Sequence, residues 1–260
     1  MAHIHGVSIQ RVRHGIALFT VVVTTQLLGQ GDFSSMKTPH FEIQYQRGVS
    51  DQDAKKVVDY LESDYDHLSE KLGLDFKKRL GVTVYDAVGK FSAKTNRTPS
   101  WRGAIYSRGI LHVQPVQALV MRKIFDQSLS FELVLALLDQ SAEKGCPRWL
   151  CEAFAVYHCG STATMSRPSG VRLASFADLE QDLQTYPNPP QRNDVHYILG
   201  STISFFVKKF GEQKTLDLFK SFDGQTTIEQ VVKKCFGRDL EDVEKEWATY
   251  VRSHPSPQGK

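Results

Sequence analysis

The chain has little net charge. Its 32 Lys and Arg stand against 29 Asp and Glu, giving +3 at pH 7 over 260 residues. That balance implies no nucleic-acid or acidic-surface partner. Cationic runs are short, as in Lys77-Lys78-Arg79 and Lys208-Lys209, and read as solvated helix ends. Cysteine is scarce as well. Cys146, Cys151, Cys159 and Cys235 fit no zinc-finger spacing, and Cys151 and Cys159 fall on one expected helix, too far apart to bridge. Buried free thiols are expected, with a Cys146–Cys235 bridge or another pairing left open. Internal repeats and low-complexity tracts are missing too. What is present, 41% hydrophobic and 23% charged residues, suits one globular domain, or one with a small appended part.

The N-terminus stands apart. Arg11, Arg13 and His14 precede an apolar stretch from Gly15 to Gly29, the pattern of a signal peptide. It is short for a membrane span, which wants about 20 apolar residues. Gly29-Gln30-Gly31 offers a small-x-small cleavage site, and no cysteine follows to carry a lipid. Residues 1–31 are therefore expected to be a signal peptide or N-terminal anchor. The protein would be exported: periplasmic, secreted or, if the segment stays uncleaved, membrane-anchored. A buried N-terminal helix is the plainer alternative.

Beyond it, His40 to Gln46 alternates apolar and polar residues as a half-buried strand does. Ser50 caps a helix whose stripe is Val57, Val58, Leu61, Tyr65, Leu68 and Leu72, stopped by Gly73. Leu80 to Tyr85 is a second strand, and Phe91 anchors a short helix. Pro99 to Gly103 is a turn, and residues 104–106 and 110–113 form a hairpin around the Gly-containing loop Ser107-Arg108-Gly109. From about Gln117 the pattern is helical, over 117–125, 127–143, 147–159, 175–185, 193–210, 212–221, 226–235 and 239–252. Loops fall at 160–170 and 186–190, where prolines break the helical run, and 253–260 is a tail. Strands first and helices after predict an α+β fold: a small mixed sheet with a packed helix over 38–116, then a mostly helical lobe over 117–252.

Three motifs stand in a fairly specific order: Trp101-Arg102-Gly103, then Pro147-Arg148-Trp149-Leu150-Cys151-Glu152, then Phe176-Ala177-Asp178-Leu179-Glu180. The stretches 197–211 and Gly237 through Trp247 follow. In this order they resemble the peptidase MA-like family of gluzincin-type, thermolysin-like zinc metallopeptidases, over roughly Thr38 to Val251. The resemblance implies a zincin-like fold. In such enzymes His-Glu-x-x-His places two imidazoles on one helical face, the glutamate between them takes a proton from zinc-bound water, and a glutamate on the next helix completes the ligands. By that resemblance the histidine positions here are Phe131 and Leu135, the general-base position is Glu132 and the third-ligand position is Glu152.

Phe131 and Leu135 cannot coordinate, so the resemblance implies a vestigial site with no zinc, no other cofactor and no activated water. Weaker catalytic candidates are His196 and Tyr197, where related enzymes stabilise an oxyanion. A rebuilt site from His112, His196, Glu132 and Glu152 is the alternative. On a plainer reading Glu132 and Glu152 are buried acids, paired with Arg148 or held neutral, and Trp101 and Trp149 pack the core. The expected function is an exported, catalytically inactive pseudopeptidase, with a peptide or protein held in a groove beside residues 104–113. The other readings are an active hydrolase with a rebuilt site and a structural or interaction module of the cell envelope.

Overall fold

The structure is a computed structural model, and it describes residues 32–96, 102–141, 145–160, 175–185 and 189–253. The expected leader, Trp101, most of the loops 160–170 and 186–190, and most of the tail lie outside those residues. No described helix is long and apolar enough to cross a membrane.

Five strands form one mixed sheet in the order β1-β2-β3-β5-β4: β1 (Phe33–Lys37), β2 (Phe41–Gln46), β3 (Leu80–Val84), β4 (Ala104–Ser107) and β5 (Ile110–Val113). The β1–β2 and β4–β5 pairs are antiparallel, and β3 runs parallel to both of its neighbours. Cross-strand partners share a face. Ile43, Val82, Leu111 and Tyr106 therefore line one face together, and Thr83, His112 and Ile105 the other. The first face is apolar and carries α1 (Asp51–Leu72) and α4 (Phe125–Ser141).

Local chemistry fixes the ends of α1. The Ser50 hydroxyl accepts from the Asp53 N–H at 3.1 Å, and Gly73 takes the left-handed cap with φ +60°. Arg108 and Gly109 both have positive φ, as a two-residue hairpin turn demands. The sheet part is completed by α2 (Val88–Thr95), on the side of His112, and by α3 (Val116–Met121). Helices α5 (Arg148–His158), α6 (Phe176–Thr185), α7 (Pro189–Phe210), α8 (Glu212–Lys220), α9 (Ile228–Phe236) and α10 (Leu240–Ser253) follow. The result is the expected α+β arrangement.

Helix α5 packs between α4 and α7 and is the pivot of the helical part. Its first turn exposes backbone N–H groups that need acceptors. The Glu180 carboxylate supplies one, taking the Trp149 N–H at 3.0 Å. Trp149 stacks on Phe176 at 4.7 Å, Phe176 meets Trp247 at 4.8 Å, and the Trp247 indole N–H donates to Thr202 at 2.9 Å. The motif around Phe176 and the C-terminal Trp247 thus form one buried aromatic stack that holds α5 in place.

Candidate site between helices 4, 5 and 7

Helix α4 is apolar nearly all round. Leu129, Phe131, Leu133, Val134, Ala136, Leu137 and Leu138 are buried, and Leu135 packs against the same core. Among them sits Glu132, 1% exposed. Glu152, on α5, is 3% exposed. A buried carboxylate pair is costly unless cations and donors compensate it.

The compensation comes from Arg102, in the short segment before β4. Its Nη2 lies 2.8 Å from Glu152 Oε2 and its Nη1 lies 3.6 Å from Glu132 Oε1. Its guanidinium carbon sits 4.4 Å from the centre of the Phe131 ring, so the cation rests on the aromatic face while bridging the two acids. Burial opposes the guanidinium charge, but the carboxylates of Glu152 and Glu132 outweigh it and hold its pKa above the ordinary value.

Arg148 completes the pairing. One turn before Glu152 on α5, its Nε and Nη2 both lie 2.9 Å from Glu152 Oε1. Burial alone would raise the Glu152 pKa. Arg102, Arg148 and His196 overcome it and bring the carboxyl to about 2. Two carboxylates thus face two guanidiniums. Glu132 meets a further donor: its Oε2 accepts the Tyr106 backbone N–H at 2.7 Å. In the β4–β5 ladder Ile105 and Ser107 face β5, so this N–H lies on the free edge of β4.

A glycine makes the approach of Arg102 possible. A Cβ on Gly103 would stand 2.3 Å from Leu119 Cδ2 and 2.9 Å from Ser128 Oγ. The Gly103 N–H donates to that Ser128 hydroxyl at 3.0 Å. The strand entry is therefore pressed onto α3 and α4, and Arg102 is delivered onto the acids.

The other sequence-derived candidates divide. His196 is buried on α7, parallel to the Phe131 ring at 5.8 Å, with Nε2 4.0 Å from Glu152 Oε2. Tyr197 turns about 100° further round the helix. It is buried and lies near Tyr250 of α10, whose pKa is raised by burial and then by Tyr157 and Tyr197. His112 does not join the group. Strand alternation puts it on the opposite face of the sheet, where its Nδ1 meets the Tyr85 hydroxyl at 2.9 Å. A pairing of Glu132 with Arg148 is also corrected: Arg148 reaches Glu152, four residues along its own helix, and Arg102 serves both acids. Among the described residues, no three His, Cys, Asp or Glu side chains converge as a metal site.

Arg102 is the residue that sequence reasoning missed. It stands in the Trp101-Arg102-Gly103 motif, where the sequence predicts only a turn. Two apolar-flanked carboxylates on neighbouring helices demand cations, and charge balance could have pointed to it.

The sequence matches the Peptidase MA superfamily over residues 62–253. Among solved structures it is similar to the M60 catalytic domain with the CBM51-1 and CBM51-2 domains from Clostridium perfringens ZmpB, at 10% identity and a TM-score of 0.40. That likeness covers 86% of this chain and 25% of the other, so the chain spans about a quarter of that protein's length. No curated protein matches the sequence. With most of its length matched by the family, the chain belongs to the Peptidase MA superfamily.

Proposed function

We infer that this protein is a pseudopeptidase, a superfamily member whose zinc chemistry has been replaced by a fixed internal cation. The observation that carries this reading is the Arg102 guanidinium, lying between Glu152 and Glu132 on the Phe131 ring. A catalytic zinc wants three protein donors and an open position. Here the two histidine positions are Phe131 and Leu135, and the two acids already face guanidiniums and a backbone N–H. The residues therefore do not fit the ion. Glu132 is poorly placed as a general base, because its Oε2 accepts the Tyr106 N–H and its Oε1 faces the Arg102 guanidinium.

The basic and apolar pattern of residues 11–29 supports export, with the protein periplasmic, secreted or held by that segment. The partner that best fits a retained superfamily cleft is a peptide or protein segment beside residues 104–113. A second reading, an interaction module with a closed cleft, is favoured by one contact: Glu132 already occupies the Tyr106 N–H that an added strand would use.

The test is elemental analysis of the full chain after zinc loading, with cleavage and binding assays on a broad peptide library. The reading expects no stoichiometric zinc and no cleavage. Stoichiometric zinc that disappears in Glu152→Ala, or cleavage abolished by Glu132→Gln, overturns it. Peptide binding that Tyr106→Pro abolishes favours the open groove, and no binding favours the closed module.

A further inference from the structure

We propose that Cys146 and Cys151 form a redox-active thiol pair that closes to a disulfide at the entry of α5. Their Sγ atoms lie 3.1 Å apart, with the Cys151 thiol donating to Cys146. The other two thiols point elsewhere: Cys159 donates to the Val156 carbonyl at 3.5 Å and Cys235 meets the Ser221 hydroxyl at 3.4 Å. The sequence alone left Cys146–Cys235 as an equal candidate, and the fold separates that pair's contacts.

The backbone holds the two thiols in place from both sides. Pro147, with ψ 141°, fixes the step into α5, and the Glu180 carboxylate anchors the first turn through Trp149. Upstream, Gly145 has φ +129°, and a Cβ there would stand 2.4 Å from Gly224 Cα, so this residue is seated against the backbone of the loop after α8. Bonding needs the sulfurs to close from 3.1 Å to about 2.05 Å. Both cysteines are half-buried, so a small oxidant can reach them.

The oxidant is a low-molecular-weight disulfide. One thiolate attacks it, releases one small thiolate and forms a mixed disulfide. The second cysteine then loses its proton and attacks the protein sulfur of that bond, releasing the other small thiol. Two protein thiols and one small disulfide give one protein disulfide and two small thiols. The bond clamps the segment carrying Arg148, whose guanidinium holds Glu152. The proposal is independent of whether the site once held a metal.

The experiment treats the folded full chain with excess oxidised glutathione, quenches with acid, alkylates the unfolded chain and sequences the tryptic peptides by tandem mass spectrometry, because Cys151 and Cys159 share the peptide beginning at Trp149. The expected result joins the peptide 145–148 to the peptide beginning at Trp149, protects both cysteines from alkylation, and leaves Cys159 and Cys235 alkylated. Dithiothreitol reverses it. Cys146→Ser and Cys151→Ser are each expected to trap glutathione on the remaining partner. Alkylation of all four cysteines alike, glutathione on Cys146 or Cys151 in the unsubstituted chain without closure, or a link to Cys159, Cys235 or a second chain overturns the proposal. If the serine variants do not fold, the map of the unsubstituted chain decides alone.

Discussion

On the pseudopeptidase reading, placing histidines at positions 131 and 135 should not create a zinc site. Phe131→His with Leu135→His rebuilds the ligand spacing on α4 beside Glu152, yet Arg102 still lies 2.8 Å from the Glu152 oxygen that would take the ion. Adding a Zn–O bond of about 2.1 Å puts the two cations within about 5 Å of each other. At an effective dielectric of about 20, each unit-charge pair at that distance repels by about 3 kcal/mol, hence about 7 kcal/mol for a dication, or about five orders of magnitude in Kd. Arg102 could swing out, but it would forfeit its partners at a comparable cost. The double variant is therefore expected to bind zinc weakly, and the triple variant with Arg102→Ala several orders of magnitude more tightly. Competition with a chromophoric chelator reads both constants, and circular dichroism confirms that each chain is folded. Equal affinity of the double and triple variants would refute the assignment of Arg102 as the occupant of the cation position.

Three further outcomes follow from the same geometry. Glu152→Gln leaves two guanidiniums underpaired and should cost about 3–5 kcal/mol in chemical denaturation, whereas Arg148→Ala, at a side chain 43% exposed, should cost about 1 kcal/mol or less. Acid should unfold the protein in two stages. Burial, with Lys71 and His67 nearby, lowers the His158 pKa to about 3, so the unfolded chain takes up that proton first and stability falls as pH drops from the ordinary histidine value of about 6.5. Glu152 titrates in the folded state at about 2, so its share, on the order of 3 kcal/mol, is present above the usual value of 4.5 and is lost as pH falls toward 2. Stability measured against pH should lose its upper limb in His158→Asn and its lower limb in Glu152→Gln. Gly103→Ala should lower stability by about 1–3 kcal/mol by thermal melting, since its Cβ would meet Leu119 Cδ2 at 2.3 Å, and no loss would mean that Arg102 is delivered without that close approach.

Much of the fold was legible because single residues carried the signal. Ser50 and Gly73 bracket α1 in the sequence as they do in space, and the loop Ser107-Arg108-Gly109 placed the hairpin, although Ser107 belongs to β4 and the turn is Arg108-Gly109 alone. Strand β1 was missed. Of Phe33–Lys37 only Met36 turns inward, so there is no alternation to read, and β2 alone decides its pairing. Helix α7 begins at Pro189, four residues earlier than periodicity suggested. A proline in the first turn forfeits no helical hydrogen bond, so what looked like a break is the opening of the helix. Within the site, Phe131, Glu132, Glu152 and His196 lie together around Arg102. The partners of the acids were harder. The Arg148–Glu152 pair is an i,i+4 spacing visible in the sequence, whereas Arg102 and Glu132 meet only because the sheet edge folds over α4.

The order in which such a site can change is constrained by charge. Two carboxylates enclosed by leucines are tolerable beside a dication, and without one they repel each other and lack solvent. Losing the histidines alone would leave that liability in the core. A phenylalanine at position 131 offers a face on which a guanidinium can rest, and the planar fork of arginine reaches toward both acids. A lysine could not do the same, being a single point charge with no flat surface to stack. On the pseudopeptidase reading, Phe131 and Arg102 are then one substitution in physical terms. Reverting Phe131 without removing Arg102 should destabilise the folded protein more than the loss of one buried ring explains, and a double-mutant cycle on Phe131→Leu and Arg102→Met should show a coupling of about 0.5–3 kcal/mol. Additive losses would separate the two residues and leave the ring as ordinary core packing.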